Sequence, residues 1–119
     1  MFITSISRNF EAAHTNGPPG GRCATMHGHS WQVKVDVAMF DKSLDEWGWT
    51  MDFILLKKII DQYDHQTLND FFEKPSAENI AVAIWDEVLL ASKGRAEDIT
   101  VTISEGAGNV LVYTGPDEE

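Results

Sequence analysis

At 119 residues the chain is long enough for one core of ordinary size, since a polypeptide of this length removes roughly 65% of its unfolded surface from water. Nineteen acidic residues against nine basic ones give a formal charge of -10, which argues against a nucleic-acid partner that would need a dense basic face. No apolar run of about eighteen residues and no basic segment leading into an apolar one is found, so neither a membrane span nor a signal peptide is expected and the expected location is the cytoplasm.

In chain order, Ile6, Phe10 and Ala12 share parity with His14, while Ser5, Ser7, Asn9 and Glu11 take the other face, the alternation of a half-buried strand interrupted only by Arg8. The run Asn16-Gly17-Pro18-Pro19-Gly20-Gly21 can be neither helix nor strand and reads as a mobile loop. It leads into Cys23-Ala-Thr-Met-His27-Gly28-His29, after which Trp31, Val33, Val35 and Val37 alternate with Gln32, Lys34 and Asp36 as a second strand. By parity, His27 and His29 extend the apolar face of that strand.

A polar, Trp-rich connection from Asp41 to Trp49 precedes Asp52, whose carboxylate suits a helix N-cap. Phe53, Leu56, Ile59, Ile60 and Tyr63 then recur at helical spacing, with Lys57, Lys58, Asp61 and Gln62 opposite. Asp64 to Asp70 reads as a loop. Pro75-Ser76 opens a second helix with the stripe Ile80, Ala81, Ile84, Val88 and Ala91, closed by Lys93-Gly94. Ile99, Val101 and Ile103 form a third strand with Glu105 on its apolar side, Gly106 to Asn109 is a hairpin turn, and Val110 to Thr114 returns as the fourth. The expected fold is a single α+β domain over 1–119, a four-stranded antiparallel sheet with two helices on one face. Its two open edges suit sheet extension between subunits.

Side chains two apart on a strand point the same way, so His27 and His29 can close on one metal ion, with His14 as a third ligand. Three imidazoles suit Zn²⁺ and leave a fourth position for water or substrate. Cys23 has three readings: a fourth ligand in a closed Cys-His₃ site, a thiolate held near the metal as a base, or a small buried hydrophobe. Asp64-His65 has the make-up of a carboxylate-imidazole relay, or of an ordinary loop pair. Glu105 ends an apolar row and needs a partner; a carboxylate there matches two parallel N–H donors of a heterocycle.

Taken in order, Phe10-Glu-Ala-Ala-His14, Cys23-x-x-x-His27-Gly-His29, Asp52-Phe53, Asp64-His65-x-x-Leu68-Asn69, Pro75-Ser-Ala-Glu78-Asn79 and Ser104-Glu105 give the chain its resemblance. Nearly end to end, it resembles the 6-pyruvoyl-tetrahydropterin synthase family, which includes the bacterial 6-carboxytetrahydropterin synthases of the queuosine (7-deazaguanine) pathway. The resemblance implies a T-fold of order β-β-α-α-β-β assembled as a homo-hexamer with active sites between subunits. It implies zinc on His14, His27 and His29, Cys23 as the catalytic base, and Asp64 with His65 as its relay partner. Glu105 would anchor the pterin ring.

The implied reaction converts 7,8-dihydroneopterin triphosphate to 6-carboxy-5,6,7,8-tetrahydropterin with release of acetaldehyde and triphosphate, the branch favoured by the short gap between Cys23 and His27. The alternatives are a 6-pyruvoyl or 6-hydroxymethyl product, or a non-catalytic zinc- and pterin-binding module. Two positions depart from the family's pattern: Gly106 stands where Thr commonly follows the Glu, and Tyr63 where Leu is usual. A triphosphate also needs cations, and near the motifs in sequence stand only Arg8, Arg22 and Lys34.

Overall fold

Two long strands carry the architecture. In a computed structural model describing residues 1–118, β1 (Phe2–His14) and β2 (His27–Met39) run antiparallel over their full lengths, from Phe2 opposite Met39 to His14 opposite His27. The alternation read from the sequence is the reason: Ile6, Phe10 and Ala12 of β1 and Trp31, Val33, Val35 and Val37 of β2 are all buried on one face. Pairing continues through β4 (Asp98–Glu105), where Trp31 stands opposite Glu105, to β5 (Val110–Tyr113). Phe10 and Trp31 stack across the strands, their rings 4° from parallel and 5.9 Å apart.

Two helices close this face. In α1 (Phe53–Asp61), Asp52 accepts from the Ile54 amide at 2.9 Å, the N-cap expected of it, and Leu56, Ile59 and Ile60 turn inward. In α2 (Ala77–Ala91), Ser76 caps by accepting from the Asn79 amide at 3.1 Å, and Ile80, Ala81, Ile84 and Val88 pack on the sheet. The chain leaves α2 through Lys93 and Gly94, both at positive φ. Arg8, the break in the apolar row of β1, is closed by a two-pronged pair with Asp61 of α1, Nε to Oδ1 at 2.9 Å and Nη2 to Oδ2 at 2.6 Å. No helix among the described residues is long and apolar enough to cross a membrane.

The sheet has five strands rather than four and is mixed rather than purely antiparallel. Within the segment expected to be a loop, β3 (Gln66–Thr67) pairs parallel with β1 at Ala12 and Ala13, giving the order β3-β1-β2-β4-β5. Leu68–Asp70 follows as a 3₁₀ turn with Leu68 buried. Two residues carry no alternation to read, and what holds them is local: the His65 amide donates to the Glu11 carbonyl at 2.6 Å and the Glu11 amide to Asp64 Oδ1 at 2.9 Å. β5 also stops at Tyr113, one residue before the expected end.

Candidate metal centre and active site

The three strand histidines come together because β1 and β2 end in register. His14 is the last residue of β1, His27 its partner at the start of β2, and His29 lies two residues on, opposite Ala12. All three share the helix-covered face with Trp31, so they continue the core outward as polar groups. Their ring centroids are 4.6, 5.2 and 4.7 Å apart, and one ligand nitrogen from each lies within 4.8 Å of the others.

Backbone carbonyls set two of the rings. His14 Nδ1 is 2.6 Å from the Pro75 carbonyl and His27 Nδ1 is 2.7 Å from that of Thr25. A carbonyl only accepts, so each Nδ1 carries the proton and, in the neutral ring, Nε2 keeps its lone pair. His29 Nε2 is buried with no hydrogen-bond partner among the described residues; the nearest carboxylate oxygen, Oε2 of Glu105, is 3.7 Å away. Burial holds the His29 pKa below its ordinary value; Glu105 opposes this, and the neighbouring His14 and His27 reinforce it. A buried, orphaned ring nitrogen beside two oriented ones is a donor set that fits a divalent metal with three protein ligands.

Glu105 ends β4 on the same side, lining a cavity of about 410 Å³ with Glu78, Asn109 and Leu111. Its amide donates to the Asn109 carbonyl, and the Gly106 amide to that of Ser30 at 3.0 Å. Gly106 sits at φ +74°, a backbone that a β-branched Thr adopts only under strain, which accounts for the glycine.

Cys23 lies exposed on a 3₁₀ turn, Arg22–Ala24, and its sulfur is not among the ligand atoms gathered by the three histidines. The burial reading of this residue is therefore set aside. The turn is pinned beside the cradle: the Asn16 amide donates to the Cys23 carbonyl at 2.8 Å and the Thr15 hydroxyl to that of Ala24 at 2.7 Å. Asn69 then holds Thr15 by both its amide and its carbonyl, at 2.9 and 3.0 Å. Gly17 is required here, at φ +95° and with an added Cβ only 3.3 Å from Cys23 Cβ.

Asp64 and His65 are paired, Oδ2 to Nδ1 at 3.0 Å, and the imidazole is 79% exposed. The Glu11 amide, and after it the His65 ring, hold the Asp64 carboxyl below its ordinary pKa. His65 lines a cavity of about 490 Å³ with Glu11, Ala12, Ala13, Gly28, His29 and Ser30, at the edge where β3 meets β1. Within one chain the three histidines and Glu105 are brought together, the turn of Cys23 is pinned to Thr15 and Asn16 next to His14, and the Asp64-His65 pair stands exposed at the β3 edge. The positioning groups that sequence reasoning missed are the carbonyls of Pro75 and Thr25 and the clamp of Asn69; of these only Asn69 carried a signal, as part of a motif.

Fold and cradle define a small α+β protein with three histidines at one end of its sheet whose donor set fits a metal ion. The family model described as 6-pyruvoyl tetrahydropterin synthase matches residues 3–116, and the chain belongs to that family. A protein of Archaeoglobus fulgidus, provisionally named a 6-carboxy-5,6,7,8-tetrahydropterin synthase, is 38% identical over 96 residues, 77% of this chain and 78% of its own. The 6-carboxy-5,6,7,8-tetrahydropterin synthase of Synechocystis is 32% identical over 123 aligned positions, 98% of this chain and 95% of its own. The solved 6-pyruvoyl tetrahydropterin synthase of Caenorhabditis elegans superposes with a TM-score of 0.70 at 25% identity, covering 98% of each chain. The T-fold expectation holds, with β3 added at its edge.

Proposed function

We propose that the protein is a zinc-dependent lyase that converts 7,8-dihydroneopterin triphosphate and water to 6-carboxy-5,6,7,8-tetrahydropterin, acetaldehyde and triphosphate, in the pathway to queuosine. The observation that carries this is the orphaned His29 Nε2, beside His14 and His27 and 3.7 Å from Glu105, which itself lines a cavity. His14, His27 and His29 hold Zn²⁺, which when bound supplies a Lewis acid for the hydroxyls of the substrate side chain. Glu105 accepts two parallel N–H bonds from the pterin ring and thereby sets the side chain over the cradle. Cys23, on its pinned turn, takes a proton from the side chain as thiolate. His65 donates Nδ1–H to Asp64 and so presents Nε2 to exchange that proton.

Because the relay imidazole stands 79% exposed at the sheet edge, we assign the pair to the cradle of a neighbouring copy in a homo-hexamer. The long unpaired stretch of the β1 edge and the exposed Phe2, Ile3, Trp49, Phe53 and Ile54 support such an assembly. The whole of residues 1–119 then forms one catalytic domain working in the cytoplasm, with a pterin as its ligand and no role for nucleic acid or membrane.

Product analysis of zinc-loaded protein incubated with 7,8-dihydroneopterin triphosphate, with Cys23→Ala as control, tests the proposal. Acetaldehyde and a carboxypterin, both lost in the variant, are expected. Triphosphate release without acetaldehyde assigns the pyruvoyl branch instead. No turnover of any kind leaves a zinc- and pterin-binding module.

A further inference from the structure

A phosphorylated substrate entering a chain of charge -10 needs a cation at the site, and the nine Lys and Arg residues can be placed one by one. Arg8 is spent on Asp61, on the helix side of the sheet. Arg95 donates to the carbonyls of Ser43 and Thr50. Lys34 belongs to the uncovered face, 3.8 Å from Asp36, and Lys42 lies over the Phe40 ring just beyond the C-terminal end of β2, away from the histidines. Lys57 and Lys58 ride on the exposed side of α1, and Lys93 follows the C-terminus of α2. Lys74 lines a separate cavity with Glu73 and Asp86.

Arg22 is what remains. It begins the turn that carries Cys23, is exposed, and has no carboxylate within ion-pair distance among the described residues. The bonds from Asn16 and Thr15 hold that turn against the end of β1, and the Thr25 carbonyl, the next residue along, receives His27 Nδ1. The backbone of Arg22 is therefore anchored next to the cradle while its guanidinium is uncommitted among the described residues, and that planar fork matches two oxygens of a phosphate.

We propose that Arg22 binds the phosphate chain of the substrate, so that one turn supplies both the thiol that works on the side chain and the cation that holds its charged end. The inference rests on the phosphorylated-pterin reading above. Binding calorimetry on zinc-loaded protein, with 7,8-dihydroneopterin, its triphosphate and inorganic triphosphate as ligands, tests it. Arg22→Ala should weaken the triphosphate ester about tenfold, roughly 1.4 kcal/mol, and inorganic triphosphate in proportion, while unphosphorylated dihydroneopterin changes less than about twofold. Arg22→Lys should fall between wild type and Arg22→Ala, and Lys74→Ala should match wild type.

Equal weakening of all three ligands, unchanged triphosphate affinity in Arg22→Ala, or no binding of inorganic triphosphate to the wild type would each overturn the assignment. Failure of the wild type to bind dihydroneopterin, with triphosphate binding still lost in Arg22→Ala, would refute the pterin reading and leave Arg22 as an anion site.

Discussion

Replacing His29 by Leu should leave the metal-free protein at least as stable as the wild type while abolishing its response to zinc. An unpartnered buried ring nitrogen costs roughly 1–3 kcal/mol, and the lower end applies here because the His29 side chain is 25% exposed. Leu fills a similar volume beside Trp31, whose ring lies 5.4 Å from that of His29, so little packing is lost. The carboxylate of Glu105 keeps its access to water at 30% exposure. The net expectation in chelator is a gain of about 1 kcal/mol, or about 4 °C in Tm for a chain of 119 residues. With zinc at about a thousandfold excess over its Kd the wild type should gain about 4 kcal/mol, and the variant, with two ligands left, almost nothing. Urea titrations with EDTA and with zinc, at one fixed protein concentration, measure both quantities. A variant more than about 1 kcal/mol weaker than wild type in EDTA, or one that zinc stabilises as fully as wild type, would refute the orphaned-nitrogen account.

Tyr63 gives a prediction in alkali. Burial, helped by Glu87, pushes its phenol up to about 12, above its unfolded value, so its contribution is complete below pH 10 and is lost as pH rises toward 12. Tyr63→Phe should remove that part of the alkaline destabilisation, roughly 2–3 kcal/mol at most, in unfolding curves compared between pH 9 and about pH 12. Asp64 works in the opposite sense: its carboxyl is held below the ordinary value, so its contribution is present at neutral pH and is lost as pH falls below about 4. In Asp64→Asn the amide can still accept from Glu11 but offers His65 an N–H in place of a carboxylate. Turnover should drop by about a hundredfold or more through the wrong tautomer, with the urea midpoint little changed. For Arg8 and Asp61, side chains 39% and 38% exposed, a double-mutant cycle should return no more than about 1 kcal/mol despite the two-pronged geometry.

Whatever rests on strand parity or helix spacing was legible in the sequence, because burial on one face leaves a period that residues must obey. The histidine cradle belongs to this class: His14, His27 and His29 follow from the same alternation that buries Phe10 and Trp31. β3 was not legible, since two residues are too few to show a period and their pairing depends on amides of Glu11 and His65. Nor could the sequence say that Glu11 would fasten Asp64 and His65 to the edge of β1, because partners this far apart in the chain leave no local pattern. The carbonyls of Pro75 and Thr25 were invisible for a deeper reason. Every residue has a carbonyl, so a ring oriented by backbone leaves no mark on the residue types around it.

These carbonyls also explain why the cradle lies where it does. A histidine inside a hydrophobic core must satisfy two ring nitrogens, and the sheet beneath offers none, its backbone groups being committed to the ladder. At this end of the sheet the segment before β2 offers the Thr25 carbonyl and the segment before α2 that of Pro75, which fix Nδ1 of His27 and His14, while one ligand nitrogen of each ring lies within 4.8 Å of the others. The rows of β1 and β2 thus run from dry core into a set of ring nitrogens, the last of which, on His29, is left without a partner among the described residues. A cation placed there would complete the polar end of the core as well as a site for chemistry. Binding and stability at this end of the sheet should then rise and fall together, whereas Asp64-His65, fastened to the sheet edge through Glu11, can be altered with little effect on either.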